Sequence, residues 1–142
     1  MLELIPLCTA VVQVGPSLMV GNSPAGHRSV GELTSVTIEG ERLKGTLAGA
    51  AAADWMARNG AIGVIDVRMT IRTHDDALIY IHYGGRLDLS NPAAGITAYV
   101  APLFETGDER YAWLNSIQAV GKGRLTPGPN GTRIDYEFYQ VR

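Results

Sequence analysis

Cysteine, surplus positive charge, long apolar runs and the common nucleotide and hydrolase motifs are scarce or missing in this chain, and each absence excludes a class of function. The lone Cys8 cannot close an intramolecular disulfide; it fits a reducing cytoplasm, the expected location, and reads as a small buried apolar side chain. With 14 acidic and 12 basic residues and no Lys/Arg cluster, no positive field gathers phosphates, which removes nucleic acid as an expected partner. Met1-Leu2-Glu3-Leu4-Ile5-Pro6 opens on an acid and is broken by proline, unlike a secretory leader. No stretch reaches the roughly 18 to 20 apolar residues of a membrane span, so a soluble protein with no membrane partner is expected. Gly-x-Ser-x-Gly, Gly-x-Gly-x-x-Gly and Gly-Lys-Ser/Thr signatures are absent, which leaves little support for triad hydrolysis, hydride transfer or nucleotide hydrolysis. His27, His74 and His82 lie far apart in sequence and no Cys-x-x-Cys pair exists, so neither a metal nor another cofactor is expected.

Glycine, in contrast, is abundant: 17 of 142 residues, without a Gly-X-Y period, point to a turn-rich β protein of one domain spanning residues 1–142. From Val64 to His74, Ile65, Val67, Met69 and Ile71 alternate with Asp66, Arg68, Thr70 and Arg72, the period of a strand. The polar cluster Thr73-His74-Asp75-Asp76 and a second apolar run to Tyr83, closed by Gly84-Gly85, predict an antiparallel hairpin. Further strands are expected at 7–14, 33–39, 43–47, 96–103, 112–120 and 134–141, and so many short strands favour an antiparallel barrel or sandwich. Gly121-Lys122-Gly123 reads as a turn. Taken locally, the alanine-rich segment from Leu47 to Gly60 reads as a short helix with an Asn-Gly stop.

Chemistry has few candidates. Asp66, Arg68, Thr70 and Arg72 share one strand face; read plainly they form a solvated outer surface over an apolar core. The functional reading inverts this, with the charged row lining a ligand-binding barrel and the row Ile65, Val67, Met69, Ile71 packed on another subunit of a homo-oligomer. Asp54 and Glu105 each adjoin an aromatic, in Asp54-Trp55 and Phe104-Glu105. An acid in an apolar pocket resists ionisation, so its pKa rises toward values useful for proton transfer; the plain alternative is a solvated turn acid. Trp113 and Asn115, alternating with Leu114, share one face of the expected strand and would supply an aromatic wall and an amide.

These residues, with Gly21-Asn22-Ser23-Pro24-Ala25-Gly26-His27-Arg28, Gly40-x-x-Leu43-x-Gly45, Ala53-Asp54-Trp55, Asp66-Val67-Arg68, Arg72 to Tyr80, Phe104-Glu105-Thr106-Gly107 and Tyr111 to Asn115, make a pattern in which the order and spacing carry the specificity. The chain resembles domain of unknown function 3237, a family of single-domain β-barrels, nearly end to end. The resemblance implies an all-β fold, a closed antiparallel β-barrel that is calycin-like or allene-oxide-cyclase-like, with a ligand-sized interior. It also implies that residues 48–54 are strand end and loop rather than helix. Three departures stand out: Ala51-Ala52 where the family has Gly-Gly, His74-Asp75-Asp76 for Asp-Asp-Gly, and Tyr99-Val100 for Arg-Thr.

The expected function is a cofactor-independent enzyme, an isomerase, cyclase or lyase, that moves a proton on an aromatic or polyketide-like small molecule inside the barrel. Asp54 or Glu105 would be the acid/base, with Arg68, Tyr80 and Tyr99 holding a developing oxyanion and Trp55 and Trp113 as walls. Asp66, Arg72, His74 and Asn115 complete the expected ligand contacts. The alternatives are a non-catalytic small-molecule-binding barrel and a structural oligomer filled by its own side chains.

Overall fold

A computed structural model describes residues 1–142. Eleven strands make one antiparallel sheet: β1 Leu4–Val14, β2 Leu18–Ser23, β3 Gly26–Glu39, β4 Gly45–Leu47, β5 Ala53–Asn59, β6 Ile62–Thr73, β7 Leu78–Asp88, β8 Ile96–Val100, β9 Leu103–Glu105, β10 Gln118–Gly128 and β11 Gly131–Val141. Pairing runs in a ring, from β1 through β3, β5, β6, β7, β8, β10 and β11 back to β1. Strand β4 continues the line of β5 between β3 and β6, and β9 continues β8 along β7. Closing the ring leaves only β2, paired with β3 alone, as a long unpaired edge. No helix is long and apolar enough to cross a membrane.

The hairpin expected from the alternation forms as β6 and β7, in register from Ile62↔Asp88 to Arg72↔Leu78. Its tip is held locally: the Ala77 N–H donates to Thr73 Oγ1 at 2.8 Å and Thr73 Oγ1 donates to Asp75 Oδ1 at 2.7 Å. Asp76 takes the left-handed conformation at φ 69°, which Asp adopts more readily than most residues. Side-chain direction settles the ambiguity of β6. Ile65, Val67, Met69 and Ile71 are buried, while Arg68 and Arg72 are exposed. The plain reading holds and the inverted one does not: the interior takes the apolar row because nothing inside the ring would replace the hydration of Arg68 or Arg72. The row expected to pack on another subunit is therefore core, and the argument for a homo-oligomer that rested on it falls.

The ring is filled unevenly. Near the β6–β7 tip, fully buried Ile38, Leu43, Ile71, Ile79 and Leu114 pack it solid. Toward the other end stands an aromatic group: Tyr83 meets Tyr136 edge-on at 5.7 Å between ring centroids, and Tyr136 stacks on Phe138 at 5.1 Å. That group explains Gly121 and Gly123, which lie inside strand β10 rather than in a turn. A Cβ on Gly123 would stand 2.5 Å from the Tyr136 ring, and one on Gly121 would run into Phe138. Gly84 and Gly85 likewise continue β7 instead of ending it.

Two other expectations are corrected. Residues 53–59 are strand β5, and the Asn-Gly that suggested a helix stop is the last residue of β5, Asn59, followed by the two-residue turn Gly60-Ala61 that leads to β6, with Gly60 at φ 59°. Pairing with β3 on one side and β6 on the other overrides the helix propensity of its alanines. The expected strand at 112–120 starts only at Gln118; Glu109–Ser116 is a 3₁₀ helix, begun by Asp108, whose side chain accepts from the Arg110 N–H.

Candidate active site

Asp54 enters the interior by register. It pairs with Val67, which pairs with Tyr83, so Asp54, Val67 and Tyr83 form one inward row across β5, β6 and β7, with Gly31 of β3 on the other side of Asp54. Between the pairs Asp54↔Val67 and Ala57↔Val64 the backbone ladder is interrupted. There the Asp66 N–H turns to the Asp54 side chain and donates to Oδ1 at 3.0 Å, satisfying a donor that the ladder leaves free. Oδ2 makes no hydrogen bond to the protein. The carboxyl lines a cavity of about 250 Å³ with Ser29, Ile65, Leu87, Leu125 and Tyr136 among its walls.

Electrostatics follow from that setting. Burial raises the Asp54 pKa from 3.8 to about 6, opposed by the Asp66 N–H and by Arg28 and reinforced by the Asp66 carboxylate. Burial and the adjacent Tyr136 phenol push Tyr83 well above the ordinary phenol value; burial foremost, with the Asp54 charge adding, pushes Tyr136 up as well. Both phenols therefore stay neutral at pH 7, and a neutral phenol is a hydrogen-bond donor. A partly protonated acid and a phenol O–H facing one apolar cavity can pass a proton to or from a bound molecule and steady a negative oxygen on it.

The other residues expected at the site lie elsewhere. Arg68, Asp66 and Trp55 gather on the outer face: the Arg68 guanidinium lies 5.7 Å from the Trp55 ring centre, and Asp66 accepts from His82 Nε2 at 3.1 Å. Tyr80, Glu105 and Asn115 meet around a shallow outer groove, since Tyr80 pairs with Glu105 across β7 and β9. Asn115 is a lock rather than a free amide: it accepts from the Thr106 N–H at 2.8 Å and donates to the Thr106 carbonyl at 2.9 Å. Arg72 pairs with Asp76 at 2.7 Å, His74 Nδ1 lies 3.4 Å from the Lys44 carbonyl, and Tyr99 is 58% exposed. Trp113 sits under the Arg42 guanidinium, 4.5 Å from its ring centre. All of these face out of the ring or sit on its end, because each occupies the strand parity opposite to Asp54, the β6–β7 tip or, for Trp113 and Asn115, the 3₁₀ helix.

Tyr83, Tyr136 and Ser29 were missed. The signal for the tyrosines was present: each is a hydroxyl-bearing residue on an otherwise apolar inward row, Ile79-x-Ile81-x-Tyr83 and Ile134-x-Tyr136-x-Phe138.

The chain is thus an antiparallel ring of strands enclosing a cavity whose wall carries one inward carboxyl and a neutral phenol. Its sequence assigns it more narrowly: the chain belongs to the family of proteins of unknown function DUF3237, which it matches over residues 2–141. It is 33% identical over 138 residues to the hydroalkoxylation enzyme phnH of Penicillium herquei, covering 95% of this chain and 80% of that one. The crystal structure of a β-barrel-like protein from Acinetobacter baumannii superposes with a TM-score of 0.84 at 27% identity, over 100% of this chain and 97% of that one. An enzyme from Penicillium herquei superposes with a TM-score of 0.71 at 28% identity, covering 100% and 94%.

Proposed function

We propose that the protein is a cofactor-independent small-molecule enzyme that cyclises or isomerises an aromatic or polyketide-like substrate by proton transfer, in the interior of a closed barrel formed by the strand ring. The observation that carries this reading is Asp54, a carboxyl with one tied and one free oxygen on an apolar cavity, its pKa raised to about 6. Such a group is populated in both protonation states near neutral pH, as a catalyst that accepts and returns one proton requires. The relative named as a hydroalkoxylation enzyme supports addition of an O–H across a C=C bond; with cyclisation of an aromatic substrate, the form proposed is intramolecular addition of a phenol O–H across an alkene of the same molecule. The phenol O–H and the C=C π bond break, one C–O and one C–H bond form, and the proton passes from oxygen to carbon through the Asp54 carboxyl. The product is an isomer of the substrate, so no oxidant, reductant or second substrate is consumed. Tyr136 donates to the oxygen that carries developing charge, the role expected from sequence for Arg68, Tyr80 and Tyr99.

The test is product analysis with 2-allylphenol and longer 2-alkenylphenols, comparing the parent protein with Asp54→Asn. The expected result is cyclised isomer from the parent and loss of turnover with retained binding in Asp54→Asn. Binding without any turnover by the parent would replace the reading with a non-catalytic binding barrel.

A further inference from the structure

The cavity has a second charged wall. Asp54, Met56 and Arg58 alternate along β5 and all three line it, so Arg58 points to the same side as Asp54, four residues farther toward the β5–β6 turn. At a strand rise of ~3.3 Å per residue, their backbones stand about 13 Å apart. Arg58 also lines an adjoining hollow with Ser17, His27 and Asn59, so it stands where the cavity opens outward. No carboxylate of the chain forms an ion pair with it. Its Nε–H donates to the Gly60 carbonyl at 2.8 Å, which anchors the guanidinium to the turn and leaves its terminal nitrogens free of protein partners.

We infer that Arg58 determines specificity by binding a carboxylate on the substrate end remote from the reacting atoms, so that the preferred substrate is an acidic, elongated molecule with an apolar middle. This rests on the reading of the cavity as a substrate site. The rest of the wall is mainly apolar: Val14, Ile65, Leu87, Leu89 and Ile134 accept an aromatic or alkenyl body, and Ser29, paired with Met56 across β3 and β5, joins Ser17 and Thr132 as the hydroxyls among them. A carboxylate suits the mouth because a planar guanidinium with a free edge binds it through paired charge-assisted hydrogen bonds. The same group is ill suited to the inner end, where it would face the Asp54 carboxyl. Repulsion inside and attraction outside thus orient one molecule one way, with its reacting atoms at Asp54.

The experiment is calorimetric titration with a matched pair, 3-allyl-4-hydroxybenzoate and 3-allyl-4-hydroxybenzamide. The parent should bind the benzoate about tenfold more tightly, the size of one charge-assisted contact. Arg58→Gln should erase that preference while leaving the benzamide affinity within about twofold, and Arg58→Lys should restore part of it. Arg86→Gln, on an arginine outside the cavity, controls for net charge. Equal affinities in the parent, a preference that survives Arg58→Gln or one that Arg86→Gln erases equally, or no binding of either compound would overturn the inference. Turnover of both compounds without preference overturns it and leaves the proposed enzyme intact; carboxylate preference without turnover does the reverse.

Discussion

The segments around Asp54 and Glu105 look alike in sequence and end on opposite sides of the wall. Each is a short strand in which an acid adjoins an aromatic. In β5 the acid faces inward and Trp55 outward, 38% exposed; in β9 Phe104 is buried and Glu105 faces solvent. A single step of strand parity separates a carboxyl whose ionisation is hindered from one that water solvates. Neighbouring an aromatic in sequence therefore says little about an acid's environment, because neighbours along a strand point apart. The aromatics that do face Asp54 come from β7 and β11, distant in sequence and brought near by the ring.

The contrast can be broken most sharply at the acids themselves. Asp54→Asn should lower kcat with an alkenylphenol by about 10²- to 10⁴-fold, and Glu105→Gln should leave it within about twofold, in product-formation assays. An equal loss at both would erase the distinction. Next in size is stability. Tyr83→Ala, which removes a buried ring packed on Tyr136, should cost ~3–5 kcal/mol in urea unfolding, whereas Tyr80→Ala on the outer face of the same strand should stay within about 0.5 kcal/mol.

The third effect is pH-dependent. Asp54 holds its proton more tightly folded than unfolded, so its contribution to stability is present below about pH 4 and is lost as pH rises through about 6. Asp54→Asn keeps an oxygen for the Asp66 N–H and removes the titration. Relative to the parent it should gain about 3 kcal/mol across that window, read from urea midpoints between about pH 3 and 8. A parallel pair of curves would mean that the carboxyl is solvated.

The smallest effect belongs to the hairpin tip. Tyr111 donates to Asp75 at 2.6 Å, and Thr73 and Arg110 also hold that carboxylate, together lowering its pKa to about 2. Tyr111→Phe should cost about 1 kcal/mol and speed amide exchange in the 3₁₀ helix that carries Tyr111, with no change in turnover. The Asp75 contribution is complete above about pH 4 and is lost as pH falls through about 2, so the tip contacts should persist at pH values where an ordinary carboxylate is already protonated.

How much of this was legible depended on whether a feature is local. The β6–β7 hairpin was, since period-two alternation on both sides of a polar tip is a direct image of strand geometry. Asp54 was found as a candidate, but its partners were not: Tyr83 reaches it from two strands away, across Val67 of β6, and Tyr136 only through the ring closure that joins β11 to β1. The charged row of β6 was assigned both ways because alternation reports two faces without saying which is inside. Strand β5 was hidden by alanines whose local preference is helical, and the β strand expected through Trp113 and Asn115 gives way to a 3₁₀ turn capped by Asp108. Gly121 and Gly123 suggested a turn because the aromatic rings they make room for lie on another strand. Closure into a ring came from family resemblance, since no single segment encodes it.

The central claim is that a substrate binds inside the ring at Asp54. A crystal of the protein soaked with 2-allylphenol tests it most directly. The expected result is ligand density within the cavity, with the phenol oxygen or the alkene within about 3.2 Å of the free Asp54 oxygen. An interior that stays dry while the ligand occupies the outer groove at Tyr80 and Glu105 would contradict it.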